Sequence, residues 1–261
     1  MDEKFPISVA IITKNEAANL ANCLESVAFA RQIVVVDSGS TDDTRKIATD
    51  MDCEVIEEAW RGFGPQKQFA IDQCREPWVL VLDADERLPA ETAQAIREIV
   101  LSLEGGIAGY SFPRKNFFQG RWIRHGGWWP DRIIRLFRRG YGHMTPAMVH
   151  EAVVIDGTVE ALSAPIEHFT ESSLSRVLLK INRYSTAAAQ VAFAEDKTSS
   201  LVFALLRAEF TFFQDYVLRL GFLDGAPGFT IAVLDSINKF FKYAKLNELH
   251  RQATAGRRSS D

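Results

Sequence analysis

Short apolar runs alternate with helix-compatible stretches along the first hundred residues. The interval EAANLANCLESV (16–27) places Leu20, Leu24 and Val27 on one helical face. Four apolar runs end in polar residues, which is typical of buried strands: ISVAIIT (7–13), QIVVVD (32–37), CEVIE (53–57) and WVLVLD (78–83). Strands that alternate with helices predict an α/β fold, with a mostly parallel sheet flanked by helices on both faces.

The last third of the chain has a helical pattern. In LVFALLRAEFTFFQDYVLRL (201–220) the polar residues recur at spacings of three and four and leave a very wide apolar face. After the break GFLDGAPG, a second helix carries Lys239, Lys242 and Lys245. An apolar face beside a cationic one predicts an amphipathic helical region on an anionic membrane surface. Packing against the α/β domain, or a homodimer interface, would use the same surface.

Composition and charge set limits on the number of domains and on the partner. A chain of 261 residues that is 47% hydrophobic can bury a large core in one domain or in one domain with an appendage. The net charge of −4 hides a basic segment at 114–143, in which Asp131 is the one acidic residue. Eight basic residues lie in this segment: Arg114, Lys115, Arg121, Arg124, Arg132, Arg135, Arg138 and Arg139. Interleaved aromatic residues suit sugar rings and arginine suits phosphate, so the segment predicts an anionic partner. Part of it, 132–139, is equally consistent with a strand that has one solvated face.

Cysteine usage and the N-terminus indicate the compartment. Cys23, Cys53 and Cys74 are too few and too widely spaced for a zinc cluster or a disulfide framework, which predicts reduced core thiols in a cytosolic protein. The start MDEKFPIS lacks the features of a signal peptide, and no uncharged apolar run approaches the roughly 18 residues of a membrane span. We expect a cytoplasmic protein.

Polar residues cluster at three predicted strand ends: 13–16, 37–40 and 83–86. In an open parallel sheet, the carboxyl ends of the strands meet at a ligand-binding crevice. Asp83 and Asp85 repel each other there unless a cation lies between them, and Mg²⁺ or Mn²⁺ prefers such oxygen ligands together with a substrate's phosphates. The sequence has no Walker-type or G-x-G-x-x-G loop, which leaves a metal-held nucleoside diphosphate. The alternatives are a helix cap at Ser40 and a solvated turn at the two aspartates.

The motifs IITKNEAANL, VVVDSGSTDDT, GPQKQFAI and VLDADE, in this order, resemble the donor half of the family 2 glycosyltransferases with the GT-A fold. The later RHGGWWPDRIIRLFRR, VHEAV, IEHF and GFLDGAPGF are similar to the bacterial lipopolysaccharide-core β-1,4-glucosyltransferases. The resemblance implies a GT-A domain at 1–170, with a nucleotide-sugar half (1–104) and an acceptor half (105–170). A membrane-associating helical region at 171–253 and a disordered tail at 254–261 would follow.

The resemblance also implies an activity and a location. It implies inverting transfer of a hexose, with glucose expected, from a UDP-sugar to a heptose of the lipid A–core oligosaccharide. The donor half and the basic, aromatic segment together predict a lipid-linked, phosphorylated acceptor, and we expect the enzyme on the inner face of the cytoplasmic membrane with Mg²⁺ or Mn²⁺ as cofactor. Transfer to a polyprenyl phosphate would use the same donor half. A catalytically silent scaffold that binds a nucleotide-sugar or an anionic lipid is the alternative from a different functional class. We do not expect a nucleic-acid partner, because nucleic-acid binding would not explain the nucleotide-sugar half of the chain.

Site roles follow from the resemblance position by position. Asp83 is expected at the ribose or a metal-bound water, where it would complete the metal site, and Asp85 is expected to hold the metal. The other expected substrate-binding residues are Thr13 and Glu16 by the nucleoside, Asp37 at the uracil N–H, Lys67 near the base or the phosphates, and Arg135 and His150.

The general base that activates the acceptor hydroxyl must come from outside the two aspartates. Glu151, in MVHEAV, is the candidate, because it interrupts an apolar pattern at a half-buried strand end. A surface glutamate on an alternating strand is the alternative. His150 beside it is a second metal ligand, an acceptor contact or a core histidine.

Overall fold

The computed structural model describes residues 4–102, 106–145, 152–170 and 173–258. The chain divides into two compact units. The larger unit contains residues 1–115 and 130–169, and the smaller contains 116–129 and 170–261. The domain limits expected from the sequence stay a prediction, but the stretch 116–129, which they assign to the acceptor half, clusters here with the C-terminal helices.

Four parallel strands form one half of a ten-stranded sheet, in the spatial order β3–β2–β1–β4. Their bounds are β1 (Phe5–Thr13), β2 (Ala30–Asp37), β3 (Glu54–Glu57) and β4 (Trp78–Asp83). The intervening helices are α1 (Ala17–Ser26), α2 (Thr44–Asp50) and α3 (Phe63–Asp72), and α4 (Ala90–Leu101) comes after β4. The predicted α/β architecture is confirmed, and each predicted strand lies within two residues of its observed bounds.

Two hydrophobic cores cover the two faces of these strands. Because successive side chains of a strand point to opposite faces, Val9 and Ile11 enter one core and Ala10 the other. Leu20 of α1 lies in the first core and Ala70 of α3 in the second. Burial on both faces explains why these strands are apolar throughout.

The second half of the sheet is mainly antiparallel, so the whole sheet is mixed. β8 pairs with both β4 and β6, and the sheet order continues through β6 and β12 to β5. The bounds are β5 (Glu86–Arg87), β6 (Ile107–Phe118), β7 (Arg121–Trp122), β8 (Asp131–Arg138), β11 (Thr158–Ala161) and β12 (Ile166–Phe169). A separate hairpin is formed by β9 (Gly142–Met144) and β10 (Val153–Ile155).

The smaller unit is mainly helical. Its helices are α5 (Leu174–Ala194), α6 (Leu201–Phe213) and α7 (Gly225–Arg258), and α7 packs against the other two. A π-helical turn (Gln214–Leu218) and a 3-10 turn (Gly221–Asp224) join α6 to α7. Helix α7 ends at Arg258, inside the segment 254–261 that the sequence predicts to be disordered, and that segment's limits stay a prediction.

Helix α6 exposes a broad apolar surface. Val202, Leu206 and Phe213 are 70%, 58% and 49% exposed. Within the described residues, no single helix has the length and apolar character needed to cross a membrane. The segments Leu201–Leu218 and Gly221–Thr254 meet those criteria only as a pair, with a bend of 69° between them.

The three cysteines are unpaired, as predicted. Cys23 and Cys74 are buried, and Cys53 is half-buried. Burial raises the pKa of the Cys74 thiol to about 12 and that of Cys53 to about 11. At neutral pH these thiols are therefore protonated core side chains.

Candidate active site

The three polar strand ends converge at one edge of the sheet, as predicted. The registers place Thr13 beside Asp37 and Ile12 beside Asp83. The carboxyl ends of β1, β2 and β4 are therefore neighbours. This edge is where an open parallel sheet binds its ligands.

Asp37 is fully buried and makes four hydrogen bonds. Its Oδ1 accepts from the backbone N–H groups of Gly39 and Ser40 at 3.0 and 2.8 Å, and its Oδ2 accepts from the hydroxyls of Thr13, at 3.1 Å, and Ser40. A carboxylate has about four acceptor positions, so this arrangement fills them. The expected uracil contact stays a prediction, and it requires one of the two hydroxyls to rotate away.

Ser40 does not cap α2, so that alternative is wrong. The helix begins at Thr44, and the Ser40 hydroxyl instead accepts from the backbone N–H of Asn15 at 2.8 Å while it donates to Asp37. Next to it, the backbone N–H of Glu16 donates to the Thr44 hydroxyl at 2.8 Å. Side chains that follow β2 thus hold the turn after β1, which places half-buried Glu16 at the same edge.

Asp83 is the centre of a charge network at the end of β4. The Lys67 ammonium lies 2.7 Å from Asp83 Oδ1, and the Arg135 guanidinium lies 2.6 Å from Asp83 Oδ2. Arg135 also contacts Glu86 at 2.6 Å, and Glu86 accepts from the backbone N–H of Asp83 at 3.1 Å. The Lys67 and Arg135 side chains are only 7% and 8% exposed, so α3, β4 and β8 each contribute to a nearly buried cluster.

The electrostatics of this network keep Asp83 ionised. Burial alone would raise the pKa of its carboxyl, but Lys67 and Arg135 together outweigh burial and hold the pKa well below the usual range. Burial likewise lowers the pKa of Arg135, and Glu86 and Asp83 reverse that effect and raise it. Arg114 continues the chain of charges, 3.6 Å from Glu86 and 2.9 Å from Asp131.

Asp85 has a different environment from Asp83. Its Oδ2 lies 3.3 Å from His168 Nε2, and its backbone carbonyl accepts from the N–H of Phe169 at 2.9 Å. The antiparallel pairing of β12 with β5 sets His168 opposite Glu86 and so brings the imidazole to this turn. The Asp85 and His168 side chains are 24% and 17% exposed, so they are partly accessible to a ligand.

This pair suits a divalent cation better than Asp83 does. A carboxylate oxygen and an imidazole nitrogen are ligands that Mn²⁺ accepts, and such ions complete their shells with water and substrate phosphate. Asp83 already neutralises two cationic side chains, so its negative charge is largely compensated, and its part in the metal site stays a prediction. Among the described residues, no group of three or more histidine, cysteine or acidic side chains could hold a metal by itself.

Sequence reasoning missed His168, Glu86 and Gln66 as site residues. Gln66 is fully buried and donates to the Ser38 hydroxyl at 3.1 Å, and thereby fixes the loop after β2. The GPQKQ motif, which also contains Lys67, is the sequence feature that could have identified Gln66 as a site residue. No local pattern marks His168 as a partner of Asp85, because 83 residues separate them.

Glu151 and His150 lie outside the described residues, so their roles stay predictions. The residues on either side of 146–151 are placed: Thr145 donates its backbone N–H to the carbonyl of Ala152 at 2.9 Å. The side chain of Gln68 accepts from the N–H of Met144 at 2.8 Å and so ties β9 to α3. Along the chain, Glu151 comes between β9 and β10.

The family comparison agrees with this geometry. The family model described as glycosyl transferase family 2 matches residues 8–162 of this chain, which include β1 from Ser8 onwards, β2 to β4 and the network around Asp83. The chain belongs to glycosyl transferase family 2. The resemblance seen in the four N-terminal motifs is thereby confirmed, and the protein is a family 2 glycosyltransferase.

Relatives of this family 2 glycosyltransferase extend over nearly the whole chain. It is 32% identical to the lipopolysaccharide core biosynthesis glycosyltransferase LpsC of Rhizobium meliloti (strain 1021), in an alignment that covers 96% of this chain and 95% of the relative. It is 30% identical to an uncharacterized glycosyltransferase of Rickettsia bellii (strain RML369-C), which covers 98% and 90%. Both alignments include the C-terminal helices as well as the family domain.

Two solved structures are more distant. The structure of S. aureus TarS 1-349 in complex with UDP-GlcNAc has a TM-score of 0.47 at 15% identity and covers 95% of this chain and 92% of its own. The glucosyl-3-phosphoglycerate synthase of Mycobacterium tuberculosis, in complex with Mn²⁺, UDP and glucosyl-3-phosphoglycerate, has a TM-score of 0.34 at 22% identity. That likeness covers 44% of this chain and 45% of the other. At this level of similarity, the ligands bound in those two structures are not evidence for the ligands of this chain.

Proposed function

We propose that this family 2 enzyme transfers a hexose, glucose by preference, from a UDP-sugar to a heptose of the lipid A–core oligosaccharide. The observation that carries the proposal is the strand-end site, in which fixed cations and the Asp85–His168 pair meet at the carboxyl edge of the sheet. The 32% identity to a lipopolysaccharide core glycosyltransferase over almost the entire chain supports the acceptor class.

Donor binding is assigned to the larger unit. Thr13, Glu16 and Asp37 would contact the nucleoside, and Lys67 would reach the diphosphate or the base. The short Lys67–Asp83 ion pair holds the ammonium in place before substrate arrives, so its charge needs little reorganisation. Arg135 contacts the other carboxylate oxygen of Asp83 and holds that side chain in position, so it supports the donor site without contacting the substrate.

Asp85 and His168 would hold Mg²⁺ or Mn²⁺, with Asp83 close by. When bound, this ion supplies charge that stabilises the departing UDP diphosphate. Asp85 provides the negative ligand, and His168 orients it through the 3.3 Å contact between the two side chains.

Inverting transfer requires a base on the side of the sugar opposite the leaving UDP. Glu151 would accept the proton of the attacking acceptor hydroxyl, because Asp83 is held as an anion by two cations and Glu86 is fully buried. The displacement forms one glycosidic bond as the bond to UDP breaks. The proton passes to the Glu151 carboxylate and then to solvent.

Product mass tests the proposed transfer. The purified protein is incubated with a panel of UDP-sugars and with heptose-terminated truncated lipopolysaccharides, and products are weighed by mass spectrometry. We expect a gain of one hexose with UDP-glucose. A polyprenyl phosphate acceptor is included for comparison, and a hexose gain on that acceptor alone would overturn the assigned acceptor. UDP release that depends on acceptor also separates an enzyme from a silent scaffold.

A further inference from the structure

The smaller unit contains a half-open cavity of about 350 Å³ that the donor site does not use. Six residues line it: Arg121, Trp122, Arg124, His125, Leu223 and Asp224. Two sequence motifs meet here from about a hundred residues apart: RHGGWW (124–129) after β7, and GFLDGAPG (221–228), which runs from the 3-10 turn into the start of α7. The proposed donor chemistry gives neither motif a role.

Asp224 joins the two motifs. One of its carboxylate oxygens accepts from the backbone N–H groups of Arg124 and His125, at 3.1 and 2.8 Å, and the other lies 3.2 Å from His125 Nδ1. The Asp224 side chain is only 3% exposed. Its negative charge is therefore engaged by the loop that it holds, while His125 is fixed in one orientation.

Glycines allow the 3-10 turn and the start of α7 to fold this tightly. A Cβ at Gly221 would lie 2.6 Å from the carbonyl oxygen of Asp215, and a Cβ at Gly228 would lie 2.1 Å from that of Gly221. Gly225 has φ +66°, and a Cβ there would meet Arg121 at 3.1 Å. The glycines of the GFLDGAPG motif therefore have a structural role: they allow the close backbone approach that positions Asp224, and they leave room for the Arg121 side chain.

The two arginines are held so that they present donors to the cavity. Arg124 lies over the Trp122 ring with its guanidinium carbon 4.1 Å from the ring centroid, and stacking of this kind leaves the N–H edge of the guanidinium available. Arg121 donates to the carbonyl of Leu223 at 3.2 Å, which uses one of its five N–H donors. Both side chains belong to exposed residues.

We propose that this cavity binds a phosphate group, with Arg121, Arg124 and His125 as its ligands. Planar guanidinium groups match phosphate oxygens, and an imidazole whose Nδ1 faces a carboxylate presents Nε2 as the second polar atom. Other basic residues of the 114–143 segment have different partners: Arg114 and Arg135 pair with carboxylates, and Arg138 lies over Trp78.

In the transferase, the phosphate would belong to the acceptor. That role rests on the proposed function, whereas binding itself does not.

The test titrates phosphate probes into the full chain without donor sugar. Binding is followed by the ring signal of His125 in ¹H–¹³C NMR spectra, assigned with a His125→Gln variant. The probes are glucose 6-phosphate and dihexanoyl phosphatidic acid, with glucose and dihexanoyl phosphatidylcholine as controls that lack a phosphomonoester. We expect both phosphomonoesters, and neither control, to move the signal.

Arginine variants locate the site. Arg121→Gln and Arg124→Gln should each weaken binding of both probes by about tenfold or more, the effect of losing a charge-assisted hydrogen bond. Arg183→Gln is the matched control, since Arg183 is an exposed arginine on α5 of the same unit and its loss changes the net charge equally. Tighter binding of the phosphatidic acid by tenfold identifies a lipid phosphate, and equal or tighter binding of glucose 6-phosphate identifies a saccharide phosphate.

Three results would overturn the proposal: no response of the His125 signal to either phosphomonoester, arginine variants that bind like wild type, or an equal loss in Arg183→Gln. The outcome is separable from that of the proposed function. If the chain binds phosphate at this cavity but transfers no sugar, the phosphate site is supported and the proposed function is contradicted. If the chain transfers sugar but binds neither phosphomonoester, the proposed function is supported and the phosphate site is contradicted.

Discussion

Asp83 and Asp85 show how two identical side chains, one residue apart, acquire different chemistry. Asp83 is the last residue of β4 and meets Lys67 and Arg135, whereas Asp85 lies in the following turn and meets His168. Two cations neutralise the first carboxylate, and a single imidazole faces the second. The environment of each carboxylate therefore differs within one D-x-D motif, and the proposed metal site draws on the less neutralised Asp85.

Asp85→Asn should remove the dependence of UDP binding on Mn²⁺. The amide keeps the size of the side chain but loses the negative charge that a hard cation needs. Calorimetry of UDP binding with and without Mn²⁺ measures the effect, and we expect the Mn²⁺-dependent gain in affinity to fall by at least about tenfold. Asp50→Asn, on the surface of α2, is the matched control. The same Mn²⁺-dependent gain in wild type and in Asp85→Asn would contradict the assignment.

Glu151→Gln should lower sugar transfer by ~10²–10⁴, the range for a lost general base, while UDP-sugar binding stays normal. The amide can still hydrogen-bond but cannot take the proton, so the acidic limb of the pH–rate profile should disappear too. Steady-state rates measure the effect, with exposed Glu160→Gln on β11 as the control. Retention of more than about a tenth of wild-type turnover would exclude Glu151 as the base. His150 would then be tested before Asp131, which is paired with Arg114.

At the scale of elements, the irregular connection between α6 and α7 concentrates acidic side chains. Asp215, in the π-helical turn, is buried and paired with Arg219 at 2.9 Å. The pKa of Asp235 on α7 is raised to about 6, chiefly by burial and then by the Asp215 charge, against smaller opposing effects of Lys239 and Arg219. π-Helical turns interrupt the regular hydrogen bonding of a helix and are frequent at functional sites. Here Asp215, in such a turn, acts through its charge on Asp235 of α7.

Asp235→Asn should stabilise the protein at neutral pH. The folded-state pKa of Asp235 is raised, so the unfolded chain releases this proton first, and stability falls as pH rises from about 4 to about 6. The amide never ionises. We expect a gain in the free energy of unfolding of about 1–3 kcal/mol at pH 7 that vanishes near pH 4.

Urea unfolding of wild type and variant at several pH values, followed by circular dichroism, measures this gain. Glu209→Gln on α6 is the control, because an exposed carboxylate in the same unit should change stability by less than about 0.5 kcal/mol at any pH. An Asp235→Asn gain that is independent of pH would show that ionisation is not its cause.

At the scale of the whole molecule, the two units differ in surface character. The larger unit buries its apolar strands on both faces, whereas α6 of the smaller unit exposes Val202, Leu206 and Phe213. An exposed apolar surface of this kind marks a site of membrane or protein contact. We propose that it lies against an anionic membrane surface, with Lys239 and Lys242 of α7 available to lipid phosphates, whereas Lys245 donates to Asn182, Ser185 and Thr186 of α5.

Val202→Glu with Leu206→Glu should weaken binding to anionic vesicles by tenfold or more. The two residues lie four apart on one helix face, and each apolar side chain moved into lipid contributes about 1.5–3 kcal/mol. Cosedimentation with vesicles of phosphatidylglycerol and phosphatidylcholine measures binding, and added salt should reduce the wild-type signal because it screens the lysines. Leu101→Glu, at a residue 60% exposed on α4, is the control. Vesicle binding that the double substitution leaves unchanged would place the contact elsewhere.

The sequence by itself determined the parallel half of the sheet, the strand-end location of the site and the family. Apolar periodicity is a local property, so ISVAIIT and WVLVLD predict buried strands whatever surrounds them, and the polar residues that follow such strands must meet at their carboxyl edge. The tertiary structure decided which charges pair. Arg135 is 52 residues from Asp83, His168 is 83 from Asp85, and Asp224 is 99 from His125. Their contacts depend on strand register and on the tight turns between α6 and α7, and neither leaves a periodic signal in the sequence because each involves residues far apart along the chain.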